Sequence, residues 1–262
     1  MAVICLTFAN LGTSMGATAL SVGDITIIGY SSDVDQFAFV TWKDLDDATS
    51  ISFTDRGWRN GANAFTKNPS ESPGSTAVPS DGNATWTSGQ DIPAGTIIIA
   101  TLQNLNPDTM TWNIGSSVGD FGHTGMTGTG ESIFAYTGAA TTPNFVFGLY
   151  YSETTWTTAD PGEYSTNPSN LPAVLNTPGG NLWIGGPGAS QNGYFSGGLD
   201  NQESLEDYRA RVVDRSLWTV YDATPTETLA QQFGAPSFTT VPEPGSLLLG
   251  ALGLLPLLRR RR

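Results

Sequence analysis

The feature that most restricts how this chain can fold is a set of short β-branched and aromatic runs, each closed by a turn former. ITIIGY (25–30), QFAFVTW (36–42), SISFTD (50–55), TIIIATL (96–102), SIFAYTG (132–138) and NFVFGLYY (144–151) are all of this kind. In SISFTD, Ile51 and Phe53 fall on one face and Ser50, Ser52 and Thr54 on the other. That period of two is what a half-buried strand requires. No long helical pattern separates the runs, so a parallel sheet lacks its crossover helices and the strands are expected to pair antiparallel. Abundant turn formers, 31 Gly and 16 Pro, fit many strand-to-strand loops. The expected fold is therefore mainly β: an antiparallel β-sandwich in a single domain over residues 20–240.

One stretch has a different period. DNQESLEDYRARVVDRSLW (200–218) puts Leu205, Tyr208, Val212 and Arg215 near helical spacing behind Asp200 or Asn201 as N-cap, which predicts one short helix near 201–215, packed on the sheet edge. Residues 60–83 and 157–180 have few large apolar side chains and no period, and are expected to be long loops.

The chain carries 24 acidic against 11 basic residues. Four of the basic ones are Arg259–Arg262, so residues 24–242 hold seven Lys and Arg against 23 Asp and Glu. A body that acidic repels phosphate backbones, and nucleic acid is excluded as a partner. The sole cysteine, Cys5, falls in the N-terminal segment, which leaves the body without disulfides, thiolate zinc ligands or a cysteine nucleophile.

Catalytic motifs are poorly supported. GTSMG (12–16) has the letters of a nucleophile elbow but no strand-turn-helix context, and a serine hydrolase would have only His123 as base. The Gly-rich loop around His123 lacks the third glycine of a dinucleotide fingerprint and the lysine of a P-loop. Calcium needs only oxygen ligands, and Asp33 and Asp35 in SSDVDQ are weak candidates, with Asp44, Asp46 and Asp47 in the next turn. An EF-hand is ruled out because Ala38 stands where the loop glycine belongs. No cofactor is expected beyond calcium at those carboxylates, and no enzymatic activity. Paired carboxylates could run glycoside hydrolysis only if they converged on a pocket. Trp58, Trp86, Trp112 and Trp156 lie in or beside polar stretches, where exposed rings would stack on sugars, whereas Trp42, Trp183 and Trp218 follow core patterns.

The two ends speak to destination. Residues 1–23 carry no charge, run apolar through MAVICLTFANLG and reach the A-x-A-like ATA at 17–19. This predicts a signal peptide over 1–19, cleaved after Ala19 by a Sec-type export route. At the other end Leu247–Leu258 is a twelve-residue, mostly apolar stretch expected to be helical, interrupted by Gly250, Gly253 and Pro256. It would span roughly 18 Å, short of the ~30 Å hydrocarbon core, and the four arginines after it should stay cytoplasmic. Pro242-Glu243-Pro244, this short apolar stretch and the cluster Arg259, Arg260, Arg261 and Arg262 together resemble the PEP-CTERM sorting signal over residues 241–262. The resemblance implies export in a Gram-negative bacterium, transient inner-membrane anchoring, processing by an exosortase, and delivery to the cell surface or extracellular matrix.

A second resemblance covers residues 20–58. Gly23-Asp24-Ile25, the pair Phe37 and Phe39, and Phe53-Thr54-Asp55 with Gly57-Trp58 are similar to the opening of an uncharacterised family of exported, lamin-tail-like, immunoglobulin-like β-sandwich domains. It implies a fold and no reaction. The functional expectation is a structural or adhesive, non-catalytic surface or matrix protein, with an exopolysaccharide-binding module as the alternative.

Overall fold

All six runs are strands in a computed structural model of the chain, which describes residues 16–76, 81–103, 109–122, 125–128, 130–151, 155–185, 191–199, 203–222, 227–233 and 237–238. In chain order the first strands are β1 (Ile25–Ser31), β2 (Gln36–Thr41), β3 (Ser50–Thr54), β4 (Trp58–Arg59), β5 (Ala64–Phe65), β6 (Asn83–Thr87) and β7 (Ile97–Gln103). Then come β8 (Thr109–Trp112), β9 (Ser116–Asp120), β10 (Glu131–Thr137), β11 (Asn144–Tyr151), β12 (Asn181–Ile184) and β13 (Asn192–Phe195). Helix α1 (Leu205–Val212), strand β14 (Trp218–Tyr221) and helix α2 (Leu229–Phe233) follow. One six-stranded sheet has the order β14-β13-β1-β2-β7-β8 and the other β12-β11-β10-β3-β6-β9, while β4 and β5 form a separate hairpin.

The sheets are a sandwich because their alternating apolar residues meet between them. Phe37 and Phe39 of β2 reach across to Phe53 of β3, with ring centroids 5.1 and 5.0 Å apart, and Phe39 meets Trp86 of β6 edge-on at 5.4 Å. Each such pair adds about 0.5–1.5 kcal/mol beyond the area it buries.

Strands β1 and β2 are buried on both faces, which explains why ITIIGY and QFAFVTW read as continuous rather than alternating runs. The outer face of the first sheet is covered by α1 and α2. Helix α2 lies so close to β1 that a Cβ on Gly29 would come within 3.0 Å of the Phe233 ring. On α1, Tyr208 and Val212 are fully buried, and Tyr208 meets Phe238 at 4.7 Å.

The outer face of the second sheet has an irregular cover. Trp58 and Phe65 of the β4–β5 hairpin, with Trp156 and Leu175, pack on Phe134, Tyr136, Phe145 and Tyr150 of β10 and β11. Trp58 meets Phe145 at 4.9 Å, and Trp156 stacks on Tyr150 at 5.0 Å. Buried Ser169 and Asn170 hold the cover together: Ser169 Oγ accepts from Trp58 N (2.9 Å), Asn170 Oδ1 from Asn60 N (3.0 Å), and Asn170 Nδ2 donates to the carbonyls of Thr157 (2.8 Å) and Ala159 (2.9 Å).

Several expectations need correction. The region 60–83 is not one long loop: it holds β5, a 3-10 turn at Pro69–Glu71 with a capping box, and the start of β6. Pairing is not wholly antiparallel, since β11 and β12 run parallel. The connection over 152–180 far exceeds the dozen or so residues such a return needs, and no helix is required to make it. The predicted helix is eight residues long, and its N-cap is Ser204, whose side chain accepts from Asp207 N. The second helix, α2, is only five residues long, too short for a helical period to show in the sequence.

The sorting motif Pro242–Pro244, the apolar stretch, the terminal arginines, His123 and residues 1–15 lie outside the described residues. Among the described residues no helix is long and apolar enough to cross a membrane. Thr18, just ahead of the expected cut, donates its main-chain N–H to Thr49 Oγ1 (3.0 Å) and its hydroxyl to Asp46 Oδ2 (2.9 Å).

Candidate functional site

Three carboxylates meet inside one end of the second sheet. In β3, Ile51 and Phe53 point between the sheets, and Asp55, two residues on, continues that face. In β10, Ile133 and Ala135 point inward, and Glu131 precedes them with the same parity. Asp81 stands two residues ahead of β6, the other neighbour of β3. Since β3 is antiparallel to both β10 and β6, its C-terminal end lies beside their N-terminal ends. One oxygen from each of Asp55, Asp81 and Glu131 lies within 4.8 Å of the other two. The residues are 0%, 2% and 1% exposed, so solvent does not screen them from one another.

Part of each set of lone pairs is already used. Asp55 Oδ1 accepts from Gly82 N at 2.7 Å. Glu131 Oε2 accepts from Thr127 N at 2.8 Å and from the Tyr151 hydroxyl at 2.7 Å. Tyr151 itself stacks on Tyr30, with centroids 4.5 Å apart. The opposite oxygens, Asp55 Oδ2 and Glu131 Oε1, have no hydrogen-bond partner among the described residues, and nor does the buried hydroxyl of Thr127 beside them. Neither Asp55 nor Glu131 joins an ion pair among the described residues.

Such a corner resists carrying negative charge. Two unit charges 4.8 Å apart repel by about 3–4 kcal/mol at an effective dielectric constant of about 20, before any cost of desolvation. Burial, then the charges of Glu131 and Asp81, hold the Asp55 carboxyl well above the usual carboxylate range, against the opposing Gly82 N–H. Burial pushes Glu131 up to about 8; the Thr127 N–H and Tyr151 hydroxyl pull it down, while Asp81 and Asp35 raise it further. The hydroxyl of Tyr151 is raised by burial and by the adjacent Glu131. The corner can be neutralised by protons or by a hard cation.

Asp33 and Asp35, the candidates visible in the sequence, lie between β1 and β2 and accept hydrogen bonds. Asp33 Oδ2 accepts from Asn192 Nδ2 (2.8 Å). Asp35, in the left-handed region at φ 50°, accepts from Met126 N (2.9 Å) and so fixes the loop leading to Glu131. Asp44 accepts from Ala94 N (2.8 Å) and Asp46 from Thr18. Carboxylates do converge, but they are Asp55, Asp81 and Glu131, at one end of the sandwich. Beside Asp81 a cleft of about 370 Å³ opens to the surface, lined by Arg56, Asn68, Glu71 and Gly82. Arg56 and Glu71 form an ion pair across its wall at 2.9 Å.

The tryptophans are placed differently from their sequence surroundings. Trp42, Trp58, Trp86, Trp156 and Trp218 are buried, and Trp112 and Trp183 are half-buried. Trp86 and Trp112, which have polar neighbours in the sequence, lie on β6 and β8 and contact the inter-sheet rings. The exposed large hydrophobics among the described residues are Val118, Val174 and Val220, none of them aromatic. A second cleft of about 630 Å³ is lined by Asn60, Asn63, Asn144 and the edge of Trp58. Compared with known proteins, the chain matches no family model, no curated protein and no solved structure.

Proposed function

We propose that this is an exported, exosortase-processed protein whose β-sandwich serves as a structural or adhesive, non-catalytic component of the cell surface or extracellular matrix. The observation that supports the structural role is the inward placement of the rings: each tryptophan is buried or half-buried, and none of the exposed large hydrophobics among the described residues is a ring on which a sugar chain could stack. The low exposure of the three convergent carboxylates supports a structural rather than a catalytic part for them on this reading. The export reading rests on ATA at 17–19, Pro242-Glu243-Pro244 and the arginine cluster. Partners on this reading are the Sec-type machinery, the exosortase and, transiently, the inner membrane.

Cell fractionation combined with intact-mass measurement tests it. The mature protein is expected outside the inner membrane with both ends trimmed, and Glu243→Ala is expected to leave uncut, membrane-held chain. Full-length protein in the cytosol, or normal release of the Glu243→Ala variant, overturns the proposal. The glycan-binding alternative draws on the amide-lined cleft beside Trp58, and retention on exopolysaccharide beads would favour it.

A further inference from the structure

We propose that Asp55, Asp81 and Glu131 bind one calcium ion that joins the adjoining ends of β3, β6 and β10. The inference goes beyond the reading of where the protein is delivered and does not depend on it. The first support is convergence, three carboxylate oxygens within 4.8 Å of one another from three neighbouring strands. The second is independent of acidity: Asp55 Oδ2 and Glu131 Oε1 are buried and have no donor among the described residues, while the other oxygen of each is held by N–H and O–H groups. Buried acceptors nearly always find a partner, and hydrogen bonds that lock one oxygen leave the other directed at the remaining ligand, as outer partners do around metals. An all-oxygen set suits a hard cation rather than zinc. Calcium fits better than magnesium because the three acids lie on strand ends of unequal side-chain length, and calcium tolerates irregular geometry where magnesium demands an octahedron. The cleft beside Asp81 opens to solvent and offers the ion a way in.

The test uses the full chain, stripped with EDTA and melted with and without about 5 mM CaCl2. Calcium is expected to raise the unfolding temperature by about 5–10 °C, the shift for a ligand near one hundred times its dissociation constant. Terbium, used as a luminescent probe, should light through Tyr151 and be displaced by calcium. Glu131→Gln and Asp55→Asn keep side-chain shape but should abolish both signals, while melting in EDTA no lower than the unaltered chain. Asp47→Asn, on the exposed β2–β3 turn, should retain both. An unaltered chain that melts at one temperature in EDTA and calcium overturns the proposal, as does a calcium shift that survives Glu131→Gln or vanishes in Asp47→Asn. An equal shift with MgCl2 overturns the assignment to calcium.

Discussion

Replacing Trp58 with alanine should loosen one face of the sandwich without unpairing its sheets. Trp58 is 4% exposed and sits at the centre of the cover over β10 and β11, against Phe65 at 5.1 Å and Phe145 at 4.9 Å. A ring of this size buries about 150–250 Å², worth about 4–6 kcal/mol at ~25 cal/mol per Å². Measured Trp and Phe truncations cost about 3–5 kcal/mol, so about 4 kcal/mol is a fair expectation, equivalent to a fall of about 8–16 °C in unfolding temperature. Urea unfolding gives the free energy, and amide hydrogen exchange gives the location. The main-chain N–H groups of Asn170 and Thr66, bonded to Trp58 O and Gly57 O, should exchange much faster, whereas the β10–β11 ladder, whose bonds lie within the sheet, should hold. Trp58→Phe should recover more than half of the loss. A cost below about 1 kcal/mol would mean that residues 58–65 contribute little packing and behave as the loop their sequence suggests, and the account of the outer cover would be wrong.

Two further outcomes follow from other parts of the fold. In chelator, stability should decline as pH rises: the folded carboxyl of Glu131 is raised to about 8 by burial above an unfolded value of about 4.3, so its contribution is fully present below the unfolded value and lost as pH passes through about 8. Each extra proton held by the folded state gives about 1.4 kcal/mol per pH unit, and Glu131→Gln should flatten the curve by that one proton in urea titrations from pH 5 to 8. Gly119→Ala should cost about 2–3 kcal/mol and expose β9 to exchange, because Gly119 has φ +81° and a Cβ there would stand 2.2 Å from Asn83 O on β6; a neutral result would contradict the pairing of β6 with β9.

The strands most open to reading were those whose own side chains fill a layer. Runs such as QFAFVTW and NFVFGLYY have apolar residues on both faces because helices or the aromatic cover lie on the second face, and that density shows without any structure. Strands β12 to β14 have four residues each, too few for a period to emerge. The cover is illegible in the sequence for another reason: Trp58, Phe65, Trp156 and Leu175 are sparse along the chain and form one cluster only after residues 58–65 and 155–176 fold over the same sheet. For the carboxylates a partial signal was present. Asp55 continues the Ile51-Phe53 alternation and Glu131 leads into Ile133 and Ala135, so each places an acid on an apolar face. Asp81 has no such frame, and its meeting with the other two depends on β6 and β10 flanking β3, an order that local pattern does not contain.

That order also determines what the acidic corner does to stability. Residues 20–262 contain no cysteine, so no disulfide can fasten the sandwich, and its stability rests on packing and on the strand ladders. Most of the inter-sheet core is apolar and fully buried, whereas the end at Asp55, Asp81 and Glu131 puts three carboxyls where water does not screen them. With those groups ionised and uncompensated, their repulsion is relieved by separating the neighbouring ends of β3, β6 and β10, so local opening should begin there rather than at the ring-packed centre around Phe39, Phe53 and Trp86. A cation bound by all three would reverse that tendency, turning the least stable end into one fastened across strands whose acids are 26 and 50 residues apart in sequence. Stability of the whole sandwich would then depend on divalent ion, a link that neither the strands nor the aromatic core could supply.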